Sequence, residues 1–146
     1  MTPMILQEVF DNALFGIRQQ GYRRSVNVNG CAYVGGELHC AIGHSFVKAG
    51  IDGALLDKVM VCTGVQSLLE LRNFDVDATK SQQQAAKVEL GKVGAIFQGL
   101  ETQALSDLQS VHDDVLMDSE DSGRDFEVAM RSFAYENGLT YTPLSN

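Results

Sequence analysis

The sequence predicts an α+β fold, a mostly helical single domain over residues 1–146 with one β-hairpin near residues 26–41. Three observations carry that expectation. Gly35-Gly36 stands between two short β-prone runs, the mark of a two-residue hairpin turn, because both central positions need φ > 0 and glycine supplies it without a Cβ clash. Apolar residues recur at helical spacing over most of the remaining chain. Only Pro3 and Pro143 punctuate it, with no Gly/Ser/Pro-rich linker, so 146 residues at 45% hydrophobic are expected to build one core.

Residues 4–20 place Ile5, Val9, Phe10, Ala13, Leu14 and Ile17 on one helical stripe, ended by Gly21. The hairpin follows. With Gly35-Gly36 as the turn, Val34 faces Glu37, Tyr33 faces Leu38, Ala32 faces His39 and Cys31 faces Cys40. The side-chain period of two then gathers Cys31, Tyr33, Leu38 and Cys40 on one face, packed against the late helices. Residues 25–30 alternate polar and apolar, and either extend the first strand or turn separately at Asn29-Gly30. Gly43 and Gly50 bracket one or two helical turns, and residues 51–61 and 65–71 read as two short helices with Leu55, Leu56, Val59 and Met60, then Leu68, Leu69 and Leu71, turned inward.

Residues 74–77 form a loop in which Asp77 is the N-cap of a helix through Lys80, Gln84 and Val88. Gly91, Gly94 and Gly99 each cost a helix about 1 kcal/mol against alanine, so a break is expected within 91–99. Beyond it, Leu105, Leu108, Val111 or His112, and Val115 define one helical face. Residues 119–123 interrupt, and residues 125–137 form the last helix with Phe126, Met130 and Phe133 inward and Asn137-Gly138 as its C-terminal signal.

Charge and cysteine usage narrow the function classes. A formal net charge of −8 opposes sequence-independent binding to nucleic-acid phosphates, which needs a basic footprint. No window reaches the roughly 20 apolar residues of a membrane span, and the first residues lack a basic, apolar leader, so a cytoplasmic protein is expected. Cys31, Cys40 and Cys62 make an odd count, which does not suit a secreted disulfide framework.

Three constellations carry candidate chemistry. The first is Cys31, Cys40 and His44, which the predicted register brings to one point; zinc accepts these ligand types, with His112 or Cys62 as a fourth. Buried apolar cysteines, or a redox pair, explain the same residues. The second is His112-Asp113-Asp114 on a late helix, readable as a core histidine bonded within the fold or, with His44, as part of a metal-dependent hydrolase. The third is the block 107–127, with eight acids against the single base Arg124, in which Asp107, Asp113, Asp114, Asp118, Glu120 and Asp121 are the candidate contact residues. It is no EF-hand, since the twelfth loop position counted from Asp118 is Ala129 and not glutamate. Arg18, Arg23 and Arg24 form the local basic cluster, the sole candidates for a pocket that takes up a nucleotide signal.

The run Cys31-Ala32-Tyr33, then Gly36, then Cys40-Ala41-Ile42-Gly43-His44, with Leu108-Gln109-Ser110-Val111-His112-Asp113 later, resembles short uncharacterised proteins encoded by phages and prophages. The likeness covers the first 47 residues and about residues 105–138. It implies a phage accessory protein in the bacterial host cytoplasm and pairs the hairpin with the His112-Asp113 helix. The leading expectation is therefore an acidic interaction protein that binds a host factor or defence component. A metal-dependent hydrolase using His44, His112 and Asp113 stands second, and a sponge for a nucleotide signal third.

Overall fold

The computed structural model describes residues 2–27, 30–31, 33–35, 38–60, 78–115 and 121–145. They form a mainly helical domain. Helix α1 is Leu6–Gln19, α2 Ala41–Ala49, α3 Gly53–Val59, α4 Lys80–Ile96, α5 Thr102–Ser110 and α6 Ser122–Glu136, with a π-helical turn at Val111–Val115 between the last two. Strands β1 (Val26–Asn27) and β2 (Gly30–Cys31) pair antiparallel, as do β3 (Val34–Gly35) and β4 (Leu38–His39). The expected single hairpin over 26–41 is thus two minimal ribbons, so helices carry the architecture.

Helix α1 buries Val9, Phe10, Ala13, Leu14 and Ile17, the predicted stripe, but Ile5 is its N-cap and is exposed. At the other end Gly21 and Tyr22 both adopt left-handed φ, +72° and +59°, and the Tyr22 N–H reaches back to the Ile17 carbonyl at 3.0 Å. Glycine adopts this conformation freely; tyrosine does so at a steric cost and needs outside anchorage. That anchorage is its ring, edge-on to Phe126 at 5.7 Å, and its hydroxyl, which donates to Glu127 at 3.1 Å.

The ribbon register differs from expectation. Val34 pairs with His39 and Gly35 with Leu38, so Gly35 is a paired strand residue rather than the first residue of the turn. Cys31 pairs with Val26 in the other ribbon, and the Cys40 N–H donates instead to the Tyr33 carbonyl at 3.3 Å. Two contacts from outside the ribbon hold this register. The Asp57 carboxylate on α3 accepts the Tyr33 and Val34 N–H groups at 3.0 and 2.9 Å, and Gly43 leaves room for the Tyr33 carbonyl where a Cβ would collide. Gly43 therefore lies inside α2 rather than bounding it; Gly50, at φ +70°, does end it.

Helix α3 buries Leu56 and Val59, with Met60 just beyond, while Leu55 is half-buried. Helix α4 begins at Thr79, whose hydroxyl accepts from the Gln82 N–H at 3.1 Å while the Gln82 side chain accepts from the Thr79 N–H at 2.9 Å, a reciprocal cap. The expected cap Asp77, the helix over 65–71 and Cys62 lie outside the described residues. Ala86, Leu90, Val93 and Ile96 face inward, so Val88 is exposed, and so are Gly91 and Gly94. The helix runs through both of these glycines and ends before Gly99, which takes φ +85°. In α5 and the π-turn, Leu105, Leu108 and His112 are fully buried. Helix α6 starts three residues earlier than expected, buries Phe126, Met130, Phe133 and Ala134, and ends at Asn137-Gly138 as predicted, with the Leu139 N–H bonded to the Ala134 carbonyl at 2.8 Å. One core joins all six described helices, and α1 packs most extensively on α2.

Candidate functional site

The sequence-predicted residues divide among three places. His112 sits in the core, on the π-turn, a widened helical turn that swings a side chain out of α-helical phase. Its Nε2 accepts the Ser25 backbone N–H at 3.0 Å, which fixes the proton on Nδ1, and Nδ1 donates to Asp113 Oδ1 at 2.7 Å. Both ring nitrogens are therefore bonded within the fold. Gln109 extends this network: its Nε2 donates to Asp113 at 3.0 Å and its Oε1 accepts the Ile42 N–H at 3.2 Å, tying α5 to α2.

Cys40 caps α2. Its Sγ accepts the Gly43 N–H at 3.2 Å, and it is wholly buried. Burial pushes the thiol up to about 12, only partly opposed by that backbone bond, so the sulfur is a protonated, inert cap rather than a nucleophile. Of the expected Cys31, Cys40, His44 and His112 set, the Cys31 side chain lies outside the described residues, while Cys40 Sγ accepts from Gly43 and both His112 ring nitrogens are bonded within the fold. Among the described residues no three His, Cys, Asp or Glu side chains form a group that could hold a metal ion.

The acidic block also splits. Asp107, Asp114, Asp121 and Asp125 are exposed, whereas Asp113 turns toward His112 and Gln109. Asp118 and Glu120 lie outside the described residues. Glu127 is 7% exposed and receives Arg18 in a two-pronged pair, Nε to Oε2 at 2.9 Å and Nη2 to Oε1 at 2.5 Å. The Tyr22 and Tyr141 hydroxyls donate to the same carboxylate. Burial alone would raise the Glu127 carboxyl, but the bonds from Arg18 and Tyr141 outweigh it and hold it below its ordinary value. A C-terminal strap completes this cluster, with Thr140 and Gln7 bonded reciprocally at 2.8 and 2.9 Å and Arg18 donating to the Thr142 carbonyl at 2.7 Å.

The basic cluster is dispersed accordingly. Arg18 is taken by Glu127, and Arg24 donates weakly to the Asp113 carbonyl at 3.4 Å with its buried Nε unbonded. Of the three, Arg23 alone lines a cleft between α1, β4 and α2, a space of about 490 Å³. Helix α1 lines it with Gly16 and Gln19, and its C-cap with Gln20; β4 adds Leu38 and His39, and α2 adds His44 and Val47. Gln20 organises the cleft. Its Nε2 donates to the Arg23 and His39 carbonyls at 2.7 and 2.8 Å, so its Oε1 faces the His39 N–H at 3.1 Å and His44 Nε2 at 3.0 Å. The two imidazoles lie tilted with centroids 5.4 Å apart. Burial, then the proximity of His39 and His112, lowers His44 to about 4, and burial lowers His39 as well, so both rings are neutral at pH 7.

Sequence reasoning named His44 and Arg23 but not the cleft, and it missed Gln20, Gln109, Asp57 and Glu127 as organising groups. The i, i+4 pair Gly16 and Gln20 was the available signal, a gap and an amide on the same side of α1. Among the described residues no helix is long and apolar enough to cross a membrane. Neither a protein-family model, nor a curated protein, nor a solved structure matches the chain.

Proposed function

We propose that this chain is a small, acidic, non-catalytic interaction protein, a phage accessory protein that acts in the bacterial cytoplasm by binding a basic surface of a host factor or defence component. One observation supports this most. The groups that the hydrolase reading needs are engaged within the fold, His112 with Ser25 and Asp113, Asp113 also with Gln109, and His44 with Gln20, whereas Asp107, Asp114, Asp121 and Asp125 remain exposed. An acidic surface of this kind speeds encounter with a basic partner and selects it by charge.

The test is cross-linking capture of the tagged protein in bacterial cells, beside a variant carrying Asp107→Lys, Asp114→Lys and Asp121→Lys. A host protein held by the wild type, released by added salt and weakened tenfold or more by the triple reversal supports the reading. Capture that survives the reversal unchanged removes the acidic surface as the contact.

A further inference from the structure

We propose that the cleft between α1, β4 and α2 is a binding site for a small monocarboxylate whose body is apolar and carries a hydrogen-bond donor. This stands on the cleft's own geometry and is independent of the acidic surface. A space of about 490 Å³ lies within the range of small-molecule sites, roughly 300–1,000 Å³.

Arg23 supplies the charge. It is exposed, and among the described residues it makes no ion pair, unlike Arg18 with Glu127 and Arg124 with Asp121. In a chain of net charge −8, an arginine with no ion pair among the described residues, beside a polar cleft, is a natural anchor for an anion. Its planar fork matches a carboxylate in two-pronged fashion. The residue is also held in place, because Gln20 Nε2 binds its carbonyl just beyond the left-handed Gly21-Tyr22 pair.

The floor supplies the second contact. Gln20 Oε1 only accepts, so His44 Nε2 must carry the ring proton, and His44 Nδ1 is left as an acceptor for an O–H or N–H group. Leu38 and Val47, the latter 55% exposed, offer apolar wall. With both imidazoles neutral, Arg23 is the one formal positive charge among the described residues lining the cleft, so a single negative charge is matched better than the double charge of a phosphate monoester.

The experiment is a backbone-amide NMR titration at pH 7 with three probes of one size: 4-hydroxybenzoate, phenyl phosphate and benzamide. The expected result is saturable shifts for 4-hydroxybenzoate, centred on residues 16–23 and 38–47, with benzamide and phenyl phosphate at least tenfold weaker. Arg23→Gln, an exposed change that leaves the fold intact by circular dichroism, weakens the carboxylate at least tenfold, and Lys87→Gln, an exposed change on α4 away from the cleft, leaves it unchanged. Three outcomes overturn the proposal: no saturation by 4-hydroxybenzoate up to 10 mM, tighter binding of phenyl phosphate, or full affinity in Arg23→Gln.

Discussion

Gly16 and His44 share one volume: the His44 imidazole lies where a Cβ on Gly16 would project, so the missing side chain on α1 admits the ring from α2. Alanine favours a helix over glycine by about 1 kcal/mol, yet here it must displace a ring held by Gln20. Gly16→Ala is expected to destabilise by about 1–3 kcal/mol, the range of overpacked cores. Gly91→Ala and Gly94→Ala, whose Cβ positions meet only open space, are expected to stabilise by about 0.5–1 kcal/mol. Urea denaturation of the three variants checks the opposite signs.

His44 also sets a pH dependence. Its folded value, about 4, lies below the ordinary value near 6.5, so the unfolded chain binds the proton more readily. The stabilisation is full above about pH 6.5 and is lost as pH falls toward 4. Solvent at the cleft reduces the effect to about 1–2 kcal/mol. Denaturation midpoints of wild type and His44→Gln between pH 4 and 7.5 are expected to converge at the acid end.

Glu127 holds Arg18 in a half-closed, low-water setting, with side chains 9% and 13% exposed. Removing one partner leaves the other charge uncompensated, and Glu127→Ala is expected to cost about 3 kcal/mol. Arg18→Met with Glu127→Leu is expected to recover most of that loss. A double-mutant cycle measured by chemical denaturation reads the coupling.

His112→Ala removes a fully buried ring and strips the Ser25 N–H of its acceptor. The expected loss is about 2–4 kcal/mol, combining a cavity with an unmet buried donor. Hydrogen exchange at the Ser25 amide, followed by NMR, is expected to accelerate beyond the change in global stability.

The helices were legible where one face is apolar and long. The α1 stripe, the inward Phe126, Met130 and Phe133, and the Asn137-Gly138 stop follow from local spacing and backbone preference. The ribbon register was not, because two glycines in a row permit adjacent turn positions with nearly equal local cost. The choice is made by Asp57, more than twenty residues away, through its bonds to Tyr33 and Val34. Likewise, a charge block read from composition cannot separate Glu127, which meets Arg18 over a separation of 109 residues, from its exposed neighbours. The cleft depends on three segments meeting at Gln20, a convergence that no short motif encodes.

The π-turn at Val111–Val115 sets the angular phase of everything around it. An α-helix advances about 100° per residue, so the wider turn works as a one-residue insertion absorbed without breaking the rod. Deleting one residue there would return the segment to α-helical phase while rotating His112 by about that angle, away from Ser25. The residue count from Leu108 to Val115 is therefore a mechanical setting: substitutions that keep it leave His112 facing Ser25, and a deletion does not.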